Sequence, residues 1–318
     1  MSRKVVVTLR TTAAAVVCTA FTLAAVVHAA AAPPRVQARI AVPGGPIGVA
    51  YADGSAWVTS FERNSVVRID RTTNSVMAEA AVGKGPIGVA AGAGSVWTAD
   101  WSAGTITRVD PTTNRAVATI PVGQSEGPEG MAFGAGALWV SHKEGAVSRI
   151  DPATNTVVAR VRVGREARYL AVGAGAVWVT SFDGGTMQRI SLTTNRVVKT
   201  IRLGVTGSGP QGIAVSGSGV WVGSCSGGRL ILINARKNRI VRRVRLPGFP
   251  CPEGVVATAR TVWIANNSGA SVSRYDIRRR RLTGTRVTGN QPRGIALGGG
   301  SVWVVNSGSS TVARLAAR

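Results

Sequence analysis

The residues with chemistry to offer are few and scattered. His142, Lys143 and Glu144 stand side by side, and an imidazole beside a carboxylate is enough for a single general base. Glu126, Glu129, Glu144 and Glu253 carry oxygens suited to a hard divalent cation such as Mg or Ca. Phe61, Trp101 and Phe182 offer flat faces on which a ligand can stack. Cys225 and Cys251 can pair if the chain is exported. No Ser-His-Asp set is legible. The stretch "SGSGVWVGSCSGG" belongs to a repeat, and its serines have no strand-turn-helix context to sharpen them.

What must position these residues is an array of internal repeats. Seven of the eight tryptophans, Trp57, Trp97, Trp139, Trp178, Trp221, Trp263 and Trp303, recur at intervals of 39 to 43 residues. In the second copy, Ile87 to Ala91, Ser95 to Ala99, Thr105 to Val109 and Ala116 to Ile120 read as four short strands. They are rich in β-branched residues and punctuated by Gly, Pro and Asn. "DPTTN" is a turn: Asp110 accepts from backbone N–H groups, Pro111 presets φ, and Asn114 tolerates the left-handed region. One carboxylate per turn is too few for calcium. A four-stranded sheet of about 40 residues cannot bury both of its faces alone, but seven stacked radially can, which is a seven-bladed β-propeller over residues 35–318. The last copy has three strands, and Arg35 to Val42 aligns with the missing outer one. The N-terminal strand should therefore close the ring and remove an open edge.

The stretch "GPIGVAAGAGSVWTADWSAGTITRVDPTTNRAVATIPVG" resembles the YVTN-type propeller repeat. "GPIGVA", "GPEGMAF" and "GPQGIAV" are similar to the repeats of virginiamycin B lyase. The resemblance implies the propeller fold. On its lyase side it implies elimination on a cyclic depsipeptide by histidine, metal and carboxylates. Beyond the leader only His142 remains, so a two-histidine arrangement has no counterpart here.

In a propeller, the loops entering the first strand share a face with those between the second and third strands. Phe61, Glu62, Asp100, Trp101, His142, Lys143, Glu144, Phe182 and Asp183 fall in the latter loops. Glu126, Glu129, Glu166, Arg168, Tyr169, Gln211, Glu253 and Arg293 fall in the former. They predict a polar, locally acidic, aromatic-dotted channel mouth on a basic body. Cys225 and Cys251 belong to the same face on adjacent blades, within reach of a disulfide.

Arg3, Lys4 and Arg10 precede an uncharged run over 11–32. This reads as a secretory signal over 1–31, with an uncleaved anchor as the alternative. The net charge of +24 points to an anionic neighbour. The strongest clusters are Arg242, Arg243 and Arg245 on one outer strand and Arg278, Arg279, Arg280 and Arg281 in the next outer turn. For an exported monomer, the expected neighbour is an anionic envelope polymer or lipid surface, with nucleic acid disfavoured. The favoured reading is a binding or scaffold module without a cofactor. The alternative is a divergent lyase (C–O elimination) or lactone hydrolase holding a divalent cation in the mouth.

Overall fold

A computed structural model of the protein describes residues 34–123, 127–204, 209–248 and 250–317. The leader assigned to 1–31 and the candidate Glu126 lie outside the described residues. Seven four-stranded antiparallel sheets follow one another along the chain. Blades 1 to 6 occupy 46–81, 86–121, 128–162, 167–202, 210–245 and 252–287, and blade 7 occupies 292–316 together with Val36–Ala41. Strands are lettered a to d from the channel outward. Each a strand packs on the a strands of the blades on either side, and the ring closes between blades 7 and 1. Among the described residues no helix is long and apolar enough to cross a membrane.

The b strands carry the tryptophans and are buried on both faces, as in Ser55–Ser60, Ser95–Asp100 and Ser301–Asn306. Six of the seven repeat tryptophans have no exposed surface at all. By area each contributes on the order of 4–6 kcal/mol before entropy is set against it. The a strands are glycine-rich because blades converge there. A Cβ on Gly88 would stand 2.1 Å from the carbonyl oxygen of Glu129 in the next blade, so only glycine fits.

Each "DPTTN" turn is a c–d hairpin. Asp70 Oδ1 accepts from the backbone N–H of Thr72 and Thr73 at 2.7 and 2.8 Å, and Asn74 sits at φ 56°. Backbone donors also hold the Asp70 and Asp110 carboxyls below the ordinary value. These turns have a second task. On strand c an arginine lies over the tryptophan of its own blade and reaches the turn asparagine of the next. Arg108 stands 4.8 Å from the Trp97 ring centroid and donates to Pro152 O at 2.8 Å and Asn155 Oδ1 at 2.9 Å. Arg68 does the same to Asn114 at 3.1 Å, Arg149 to Asn195 at 3.2 Å, Arg189 to Asn238 at 3.1 Å and Arg314 to Asn74 at 3.0 Å. Five seams therefore carry a tryptophan–arginine–asparagine latch.

The closure read from sequence is present. Val36–Ala41 forms strand d of blade 7, antiparallel to Thr311–Ala316, with Ala38 opposite Arg314 and Ile40 opposite Val312. Ile40 and Val42 are buried in the core shared by blades 7 and 1. Cys225 and Cys251 form a disulfide between blades 5 and 6, with their Cα atoms 4.0 Å apart.

Candidate functional site

The second residue of each a strand stands at one end of the channel. Around the ring these are Ile47, Ile87, Glu129, Arg168, Gln211, Glu253 and Arg293. Blades 1 and 2 thus give an apolar sector, and blades 3 to 7 an alternation of acid, base and amide. The following residue is glycine in six blades, but in blade 4 it is Tyr169, which projects a phenol into the channel. A cavity of about 210 Å³ there is lined in part by Glu129, Tyr169 and Arg293.

The polar sector is internally connected. Tyr169 Oη donates to Glu253 Oε1 at 3.3 Å, and Arg293 Nε lies 3.6 Å from the same oxygen. Arg168 lies 4.0 Å from Glu129 and 3.5 Å from Glu166. Its guanidinium covers the Phe182 ring at 4.2 Å. Burial pushes the Glu129 and Glu253 carboxyls above the ordinary value, against the opposing pull of Arg168 and Arg293 respectively. The Tyr169 phenol is pushed up for the same reason. Two buried polar atoms in this sector have no hydrogen-bond partner: Arg168 Nε and Gln211 Oε1. Native cores leave few such atoms.

Beside the apolar sector lies a wider cavity of about 400 Å³, lined by Phe61, Glu62, Trp101, Ile47, Ile87 and Arg293. Trp101 is 36% exposed there. Ile47, Ile87 and Arg293 line both cavities, so the aromatic bay adjoins the channel.

The remaining candidates lie elsewhere. His142 and Asp100 are not in loops: each is the last residue of a b strand. That position is a buried polar residue in every blade, Ser60, Asp100, His142, Ser181, Ser224, Asn266 and Asn306. It satisfies groups within the fold. Asp100 accepts from the hydroxyls of Thr98, Thr105 and Thr107 at 2.7, 3.0 and 2.6 Å, and burial still raises its carboxyl. His142 is 1% exposed, with Nε2 2.8 Å from Ser148 Oγ. Burial, with the charge of Arg160 added, lowers its pKa to about 4. Glu144 is exposed and pairs with Arg160 of its own blade. His142 and Glu144 therefore do not make an acid–base pair at the mouth. Asp183 is exposed.

The enzyme alternative implies a divalent cation in the mouth. The two mouth carboxylates each face an arginine, and among the described residues no group of three or more His, Cys, Asp or Glu could hold a metal.

The seven arginines of the basic flank do not all face one way. Strand d of blade 5, Arg239–Arg245, alternates. Arg243 Nη2 turns back to Leu203 O of blade 4 at 3.3 Å, whereas Arg242 lies beside Tyr275 and Arg280 of blade 6. Arg279 pairs with Asp276 at 3.3 Å.

Fold and mouth together define a seven-bladed β-propeller with an asymmetric channel mouth. The solved structures it resembles include virginiamycin B lyase from Staphylococcus aureus, 16% identical, with a TM-score of 0.79, covering 90% of this chain and 100% of that one. A catalytically inactive histidine-to-alanine variant of that lyase, with Quinupristin, matches equally well. Kuenenia stuttgartiensis hydrazine synthase is 15% identical, with a TM-score of 0.78, covering 86% of this chain and 96% of that one. A family model described as strictosidine synthase-like, N-terminal, matches residues 115–150. No curated protein matches the chain. At these identities the likeness is one of fold.

Proposed function

We propose that the protein is an exported binding module that takes a small amphipathic ligand at the channel mouth. The observation that carries this reading is the buried polar sector of Glu129, Arg168, Gln211, Glu253 and Arg293, in which Arg168 Nε and Gln211 Oε1 lack a hydrogen-bond partner, next to the aromatic bay of Phe61 and Trp101. An apolar ring stacks in the bay. Its polar end meets Arg293 and offers hydroxyl or amine donors to Glu129 and Glu253. Concave, mostly apolar sites with a few convergent polar groups are where small molecules bind. Export is supported by the charged-then-apolar leader and by the Cys225–Cys251 bridge, which belongs in an oxidising compartment. Chemistry of the lyase type is not supported, because the single histidine among the described residues is buried in blade 3 and resists protonation. A fragment screen by thermal shift, on wild type and on a Trp101→Ala/Arg293→Ala variant, tests the reading. Fragments that raise the melting temperature of wild type alone support it, and identical hit sets reject it.

The exposed arginines of blades 5 and 6 add a second contact, with an anionic envelope polymer. Replacing Arg278, Arg279, Arg280 and Arg281 by Gln should lower retention on envelopes at moderate salt, since exposed charge is screened over about 8 Å. Unchanged retention removes this part of the proposal.

A further inference from the structure

Five seams of the ring carry the arginine–asparagine latch, and two do not. Between blades 6 and 7 the reason is topological: strand d of blade 7 comes from the other end of the chain, so that blade has no c–d hairpin turn to carry the asparagine. Between blades 5 and 6 the reason lies in the side chains. Leu232 stands where the other blades have the strand-c arginine. Arg280 stands at the left-handed turn position, φ 55°, where Asn74, Asn114, Asn155, Asn195 and Asn238 stand elsewhere. The two changes belong together, because an arginine at 232 would face the arginine at 280.

The missing latch leaves a space. A cavity of about 340 Å³ opens between Arg242 and Arg280, with Trp221, Leu232 and Tyr275 in its walls. It shares Trp221, Leu232, Val241 and Ile277 with a second cavity of about 300 Å³. Tyr275 replaces the aliphatic residue of the other c strands (Ile69, Val109, Ile150) and is 1% exposed. Its hydroxyl is buried without a hydrogen-bond partner. Neither Arg242 nor Arg280 has an ion-pair partner among the described residues. One end of the space thus offers two guanidinium groups and an unused phenol donor, and the rest offers indole and aliphatic surface.

We propose that this seam is a binding slot for an amphipathic oxyanion, a carboxylate carried on an aliphatic tail. The carboxylate accepts from Arg242, Arg280 and the Tyr275 hydroxyl. The tail lies along Trp221, Leu232 and Ile277. Charge-assisted hydrogen bonds of this kind are about twice as strong as neutral ones, and the tail gains by leaving water. The slot is independent of the channel mouth.

Octanoate is the test ligand, titrated into the purified protein by calorimetry, with octanol and acetate as controls. The decisive variant is Leu232→Arg/Arg280→Asn, which rebuilds the latch found at the other seams, fills the slot and leaves the net charge unchanged. Saturable octanoate binding is expected in wild type, at least tenfold weaker in this variant, with octanol and acetate not saturating. Tyr275→Phe keeps the cavity and removes the donor, and should weaken octanoate about tenfold. It decides the matter if the double variant fails to fold. Equal binding by wild type and both variants overturns the proposal, as does saturation by octanol at the same concentration or no saturation by octanoate. Loss of octanoate binding on Trp101→Ala would move the ligand to the mouth and also overturn it.

Discussion

Acidification should unfold this propeller partly through one residue. An unfolded imidazole titrates near 6.5, and in the folded chain burial of His142 brings the pKa down to about 4. Between those values the unfolded chain binds a proton that the folded chain refuses. Stability contributed by neutral His142 is therefore complete above about pH 6.5 and falls as pH drops towards 4, levelling off below. Holding the imidazole near 4 rather than 6.5 corresponds to roughly 3 kcal/mol at about 1.36 kcal/mol per pH unit. Carboxylates titrate over the same range, so the measurement needs a reference that differs only here. His142→Gln keeps a polar side chain beside Ser148 and removes the titration. Urea unfolding at pH 7 and pH 4 should show wild type losing about 3 kcal/mol more than the variant. The ring proton resonances of His142 should stay in the neutral position down to about pH 4. Equal losses in the two proteins, or a resonance titrating near 6.5, would refute the assignment of His142 to the buried polar ring.

Three further outcomes follow from the seams. Cys225→Ser/Cys251→Ser should cost about 3–4 kcal/mol from the opened loop, given a separation of 26 residues, and free-thiol counting on unreduced wild type should find no reactive pair. Deleting residues 35–42 removes a whole strand from blade 7 and should lower the melting temperature by many degrees; an unchanged melt would mean that the pairing contributes nothing. Arg108→Met keeps the aliphatic stem over Trp97 but removes the donors to Pro152 and Asn155, and chemical denaturation should show a loss of about 2 kcal/mol.

Much of the architecture is legible in the chain because repetition is visible without coordinates. Tryptophan spacing marks the b strands, "DPTTN" marks the c–d turns, and a spare strand near one end answers a missing one at the other. The mouth is legible only in part. Glu129, Glu253 and Arg293 each directly follow a proline in aligned copies, yet these prolines read as loop when they open the inner strands. His142 and Asp100 read as loop residues because a polar residue ending an apolar run normally lies outside it. In a strand covered on both faces the last position is still interior, so the composition of the strand gives no warning. The c-strand arginines read as surface charge. That each lies flat on a tryptophan depends on how neighbouring blades face one another, which no single repeat reveals.

The closure of blade 7 also sets an order in time. Gln37 lies 264 residues before Ser301, whose hydroxyl donates to it in the finished ring. At about 5–20 residues per second of synthesis, Val36–Ala41 waits tens of seconds for its partner, Thr311–Ala316. Six blades can pair their own strands as they emerge, but the seventh cannot be completed until Thr311–Ala316 has been made. For that interval residues 36–41 are an unclaimed β-edge at the front of a growing chain. Whatever receives the chain at that stage must keep this edge from pairing with a neighbour, until Val36–Ala41 and Thr311–Ala316 seal the circle together.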